Sequence, residues 1–171
     1  MREHATLSPS SAHRWLYCTP SACQELKFPD RKSESADEGT FAHKWAEVQL
    51  QRFLRKITDE DFDRARDSLM RETNSKGERF YSPGLADYVE DYVSTVMEKY
   101  FLAKERDKGA SLLLEQRLDF REWVPQGFGR GDAVILSEGN LEVIDLKYGR
   151  TIRVEAENNP QLRPYALGAY Q

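Results

Sequence analysis

Two carboxylates and an amine bracket an apolar hairpin in the stretch Gly131-Asp132-Ala133-Val134-Ile135-Leu136-Ser137-Glu138-Gly139-Asn140-Leu141-Glu142-Val143-Ile144-Asp145-Leu146-Lys147. Ser-Glu-Gly-Asn between two apolar runs is a hairpin turn sequence. With Glu138 and Gly139 at the tip, Ser137 faces Asn140, Leu136 faces Leu141 and Val134 faces Val143; the same count sets Asp132 opposite Asp145. Opposed residues have Cβ atoms about 5 Å apart, and like charges so placed repel, so the pair needs a compensating cation. Strand alternation puts Lys147, two residues beyond Asp145, on the same face. Hard oxygen ligands favour Mg²⁺ or Mn²⁺ over zinc. Such an ion polarises a phosphate and lowers the pKa of a bound water, and a lysine beside it orients that water or stabilises developing negative charge. Two features bear on this reading: a bulge would shift the pairing by one residue, and the same residues also describe a surface hairpin with ordinary charges.

Other residues carry weaker signals. Glu115, in Leu112-Leu113-Leu114-Glu115-Gln116-Arg117-Leu118, either joins the acidic site or pairs with Arg117 on the same strand face. His43, flanked by Phe41 and Trp45, is by itself either a structural histidine or a ligand, and Glu47 one turn later either supports it or is a surface charge. His13, Cys18 and Cys23 have five-residue spacing that fits no common zinc template, so the cysteines are expected to be free and buried. Arg130, Arg150, Arg153 and Arg163 either contact phosphate or form a solvated face. Trp123 and Phe128 either stack on a base or serve as packing.

The elements that must position these groups follow from pattern. Residues 8–18 predict a short helix with Ser8 as cap and Pro9 in its first turn, stopped by Thr19-Pro20. Residues 27–39 read as a loop, and a helix begins near Thr40 with Phe41, Trp45, Val48 and Leu54 on one stripe. Residues 59–73 predict a charged peripheral helix, and 74–83, with Gly77 and Pro83, break it. The strongest helix is 84–107, where Leu85, Tyr88, Val89, Tyr92, Val93, Val96, Met97, Tyr100 and Phe101 form a wide stripe expected to pack on a sheet. Beyond Gly109 the period changes: Ser111–Phe120, Ala133–Leu136, Leu141–Lys147 and Thr151–Glu155 predict strands, and Pro160–Tyr170 a helix capped by Asn159 and kinked by Pro164. Helices, then a run of strands, then a helix argue an α+β or mixed α/β fold.

Composition bounds the function. A chain of 171 residues suffices for one domain and buries about 70% of its unfolded surface, so it folds without staples. Eight Phe, eight Tyr and three Trp exclude a disordered chain. No apolar run approaches the roughly 18 residues of a membrane span, which excludes an integral helical membrane protein. The N-terminus lacks an export core, so the expected address is cytoplasmic. Two cysteines make no secreted disulfide framework. A net charge of −4 excludes a generically basic nucleic-acid coat but not an enzyme that meets nucleic acid at a local site.

Taken together, the motifs resemble the RecB-like exonuclease branch of the PD-(D/E)XK nuclease superfamily. That family places an Asp before a short strand and an acidic-x-Lys at the end of the next; here these are Asp132, Asp145 and Lys147. Upstream it carries Gly-Thr-x-x-His with a Glu four residues on, matched by Gly39-Thr40-Phe41-Ala42-His43 and Glu47. Downstream it carries Gln-x-x-x-Tyr on a helix, matched by Gln161 and Tyr165 on one helix face. The opening Leu7-Ser8-Pro9-Ser10…Trp15-Leu16-Tyr17-Cys18 is similar to phage-encoded members related to CRISPR-associated RecB-type nucleases. The resemblance covers most of 7–170, with 55–110 matched as a helical insert.

The resemblance implies a restriction-endonuclease-like core: a mixed central sheet flanked by helices, with an N-terminal helical region. It implies one domain over 1–171, of which 1–110 is mainly helical and carries His43, and 111–171 carries the sheet, the last helix and the catalytic motifs. It implies a Mg²⁺- or Mn²⁺-dependent nuclease acting on single-stranded DNA or duplex ends. His43, Asp132, Asp145 and the Leu146 carbonyl would ligate the metal, Lys147 would assist the nucleophile, and Gln161 and Tyr165 would hold the lysine and the substrate strand. Recombination or defence proteins are the implied partners, with no membrane and with the oligomeric state open. The alternative is an inactive nuclease-fold module that binds DNA or protein in a phage or defence complex. Many relatives bind an iron–sulfur cluster through four cysteines; Cys18 matches one, and the set would be complete only in a longer chain. The apolar segment at 166–171, with no stop signal, gives the expectation of a C-terminally truncated domain.

Overall fold

Most of the predicted helices and strands form, in the predicted order. A computed structural model describes residues 5–28, 34–149 and 154–170. A 3-10 turn at Pro9–Ser11 leads into helix α1 (Ala12–Trp15) and then α2 (Pro20–Glu25), α3 (Glu34–Phe53), α4 (Asp59–Leu69) and α5 (Pro83–Arg106). Strands β1 (Ser111–Asp119), β2 (Phe128–Ser137) and β3 (Asn140–Ile144) follow, then helix α6 (Leu162–Ala169). The class is α+β, as expected. The described strands form one sheet in the order β1-β2-β3, and both pairings are antiparallel. The sheet expected to be mixed is therefore antiparallel among the described residues, because each strand returns directly beside the one before it. No helix among these residues is long and apolar enough to cross a membrane.

The chain divides into two compact units: a sheet unit of residues 1–31, 109–145 and 152–171, and a helical unit of residues 32–108 and 146–151. The N-terminal helices thus join the sheet unit, and the described residues after Asp145, 146–149, join the helical one.

In the helical unit, α3 packs against both α4 and α5. The α5 stripe buries Leu85, Val89, Val93, Val96 and Met97, and the partner it finds in this unit is α3. Ser82 accepts the Leu85 N–H at 3.2 Å and Pro83, which has no N–H, fills the first helical position, so two of the first-turn positions of α5 leave no amide unsatisfied. Thr58 and Asp61 form a reciprocal capping box on α4. Helix α3 starts at Glu34 and includes most of what reads as loop over 27–39; Glu34 and Asp37 sit in its first turn, where the helix dipole favours acids. Residues 29–33 of that loop lie outside the described residues.

In the sheet unit, α6 lies on the sheet and touches all three strands. Leu118, Val134 and Tyr165 form the buried cluster, flanked by Leu113, Leu136, Leu141, Val143, Leu162 and Ala169. Two glycines make the close approach possible. A Cβ at Gly168 would stand 3.0 Å from the Leu118 Cβ, and one at Gly129 would stand 2.7 Å from both Pro9 Cγ and Tyr165 Cε1. Near the N-terminus, Ala12, Trp15 and Ala22 pack with Leu7 and Val124, and the Trp15 indole donates to the Ser8 carbonyl at 2.8 Å. Pro20, expected to stop a helix, instead opens α2 at its first position, where no amide is needed. The expected strand Thr151–Glu155 falls partly on residues 151–153, outside the described residues, and Val154 and Glu155 belong to no strand.

Candidate active site

The hairpin turns where its sequence says it should. Ser137 pairs with Asn140, Leu136 with Leu141, Ile135 with Glu142, Val134 with Val143 and Ala133 with Ile144. Gly139 carries a φ of +71°, the left-handed turn position that glycine occupies without steric cost. No bulge shifts the register. The next step of the count is Asp132 and Asp145, just past the last pair. Continuing the ladder would set two carboxylates face to face, and β3 instead ends at Ile144. The strand expected to reach Lys147 therefore stops three residues short, and the shared face of Asp145 and Lys147 is not set by a ladder.

Across β2 from Asp132 stands Glu115. The β1–β2 ladder runs from Ser111↔Leu136 to Leu114↔Ala133 and resumes at Gln116↔Gly131; the position between is Glu115 and Asp132. Glu115 has a φ of +47°, a left-handed backbone that costs about 1–3 kcal/mol for a non-glycine residue. It also breaks the alternation of the strand. Leu113 and Leu118 both pack in the cluster under α6, although residues five apart in a regular strand point to opposite faces. The break bears on the alternative in which Glu115 pairs with Arg117, since that alternative assumes regular alternation; the Arg117 guanidinium lies 3.7 Å from the Phe128 ring centroid. A carboxylate oxygen of Glu115 and one of Asp132 lie within 4.8 Å of each other.

Helix α6 brings two more groups. The Asn159 side-chain oxygen accepts the Gln161 N–H at 2.8 Å and the Leu162 N–H at 3.3 Å, so the predicted cap forms. From this start the Gln161 amide donates to Asp145 Oδ1 at 3.1 Å. Tyr165 follows one turn later and is 6% exposed. Burial pushes its phenol well above the ordinary value of 10.0; a hydrogen bond with the Gln161 side chain opposes this, and the charges of Asp145, Asp132 and Glu115 add to it. Tyr165 is thus a neutral phenol close to three acids. Pro164 is the third residue of α6; the Arg163 N–H before it already bonds the Asn159 carbonyl at 3.3 Å, so the proline costs one backbone bond near the start of the helix, as expected, and Tyr165 follows it buried.

The sheet unit therefore gathers Glu115, Asp132, Asp145, Gln161 and Tyr165. The remaining predicted site residues belong to the helical unit. His43 is half-buried on α3, and Glu47, one turn on, accepts the Gln51 amide at 2.8 Å. Leu146 is buried and Lys147 exposed, with the Lys147 carbonyl accepting the Tyr88 hydroxyl at 2.6 Å. The helix that carries His43 approaches this segment: a Cβ at Gly39 would lie 3.9 Å from the Tyr148 carbonyl oxygen. Cys18 and Cys23 are free and exposed, where they were expected to be buried; α2 turns its buried face through Ala22 instead. Arg130 and Arg163 are exposed, and Arg150 and Arg153 lie outside the described residues.

Sequence reasoning missed Tyr88. It sits within an apolar stripe, and only its polar tip distinguishes it from the packing residues around it.

The fold and the site define an α+β protein whose antiparallel hairpin, covered by a short helix, presents a cluster of acids hydrogen-bonded by a glutamine. The chain belongs to the family described as protein of unknown function (DUF2800), whose model matches residues 4–171. No solved structure matches it.

Proposed function

We propose that this protein is a Mg²⁺- or Mn²⁺-dependent nuclease that hydrolyses phosphodiester bonds in DNA, as an exonuclease or end-processing enzyme. The observation that carries this reading is the Gln161–Asp145 hydrogen bond beside a buried Tyr165 that feels Asp145, Asp132 and Glu115. Asp145 and Gln161, sixteen residues apart in sequence, belong to two of the motifs on which the nuclease resemblance stands, and their hydrogen bond supports the reading. The donor set fits the metal: three carboxylates supply hard oxygens, which suit Mg²⁺ or Mn²⁺, and two acids within 4.8 Å repel unless a cation or a proton offsets them.

Asp132 and Asp145 are the carboxylate ligands in this reading, with Glu115 beside them. The resemblance adds His43 and the Leu146 carbonyl as ligands. When bound, the ion polarises the phosphate and lowers the pKa of a water. Lys147 orients the nucleophile and offsets negative charge that develops on the phosphate. Gln161 fixes the Asp145 carboxylate, and Tyr165, neutral and buried, offers a hydrogen bond without adding charge. The same reading puts the protein in the cytoplasm, with single strands or DNA ends as substrate and recombination or defence proteins as partners.

The test is cleavage of labelled single- and double-stranded DNA, with RNA alongside, in the presence of Mn²⁺. Cleavage should occur, stop on chelation, and fall about 100-fold or more in Asp132→Ala and Lys147→Ala proteins that retain their circular dichroism. A metal-loaded wild-type protein that cleaves no nucleic acid contradicts the proposal and favours a nuclease-fold binding module.

A further inference from the structure

Tyr88 belongs by spacing to the buried stripe of α5, yet it is 47% exposed. Its hydroxyl donates to the Lys147 carbonyl at 2.6 Å, across 59 residues of sequence, and its ring meets the edge of Tyr148 at 5.4 Å between centroids. Just beyond, Gly149 has a φ of +89°, and a Cβ there would stand 3.3 Å from the Ser35 carbonyl oxygen. The segment after β3 is thus laid against the start of α3 on one side and tied to α5 on the other.

This tie falls where the sheet no longer fixes the backbone. β3 ends at Ile144, so among the described residues the β2–β3 ladder does not reach Lys147. We propose that Tyr88 is a positioning residue for Lys147: its hydroxyl clamps the Lys147 carbonyl and so fixes the direction in which the ammonium leaves the backbone. The inference rests on the reading of Lys147 as the catalytic amine. A half-exposed neutral hydrogen bond adds little to stability, so its effect should be seen in geometry and turnover.

Tyr88→Phe removes the hydroxyl and keeps the ring against Tyr148. The sequence contains two Lys-Tyr peptides, Lys99-Tyr100 and Lys147-Tyr148, so protein labelled with ¹³C-carbonyl lysine and ¹⁵N tyrosine gives two cross-peaks. In Tyr88→Phe the Lys147-Tyr148 peak should move and the Lys99-Tyr100 peak stay, with a melting temperature within about 4 °C of wild type. On DNA with Mn²⁺, kcat should fall about 10-fold while KM holds. A stationary Lys147-Tyr148 peak, or an unchanged kcat, overturns the positioning role and leaves the nuclease reading intact. A wild-type protein without cleavage overturns the nuclease reading, and with it the catalytic purpose of the clamp, whatever the peaks do.

Discussion

Tyr165 is the residue through which the acidic site reports on itself. Buried under α6 and close to Asp145, Asp132 and Glu115, its phenol resists ionisation. In the unfolded chain it would titrate at the ordinary 10.0. The unfolded state therefore releases this proton first as pH rises. The contribution of Tyr165 to stability is whole below pH 10 and is lost as pH climbs from there toward the raised folded value. Urea unfolding between about pH 9 and about pH 11 should show a midpoint that falls more steeply in wild type than in Tyr165→Phe; equal slopes would mean the phenol is not buried among those acids. Glu115 is a different lesson at this scale. Its left-handed φ sits in a run, Leu112–Gln116, that reads as ordinary strand, and nothing in residue type marks it. Glutamate has no preference for that region, so only the folded backbone reveals the break in alternation that places Leu118 under α6.

At the level of elements, the hairpin was the most legible part of the chain. Its turn residues specify the register: Ser-Glu-Gly-Asn, with Gly139 at the left-handed position, fixes the pairing outward from the tip, although the run Ala133–Leu136 is apolar on both faces. All five pairs from Ser137↔Asn140 to Ala133↔Ile144 follow that count. Its end was not legible, since periodicity continues through Leu146 while the strand does not. Helix α6 was legible through its cap: Asn159 sits where the Gln161 and Leu162 amides need an acceptor. The Asn159 amide also donates to the Glu155 carbonyl at 2.8 Å, which ties the approach to the helix. Asn159→Ala should destabilise the protein by about 1 kcal/mol, and Asn159→Asp should retain most of that. Chemical denaturation checks both, and equal losses in the two variants would mean that the capping oxygen is not the group that matters. The packing of α5 was less legible, because an amphipathic stripe declares that it is buried but not against what.

Over the whole molecule, the two compact units are each assembled from separated stretches of chain, and the division falls between Asp145 and Leu146, inside the motif that sequence reads as one. Fold class follows from the order of elements; the joining of residues 146–149 to the helical unit does not, because it is made by contacts that no motif announces, the Tyr88 hydrogen bond to the Lys147 carbonyl and the left-handed turn at Gly149 against Ser35. A net charge of −4 gives no general attraction to nucleic acid, so in this account DNA is met at a local site where a divalent ion offsets the acids. The most direct test is a Mn²⁺ titration followed by electron paramagnetic resonance, in which bound ion loses the sharp signal of free Mn²⁺. The account predicts binding by wild type that weakens at least about 10-fold in Asp132→Asn and again in Asp145→Asn, with melting temperatures held. Wild-type protein that leaves the free-ion signal unchanged, or binding that survives both substitutions, would contradict it.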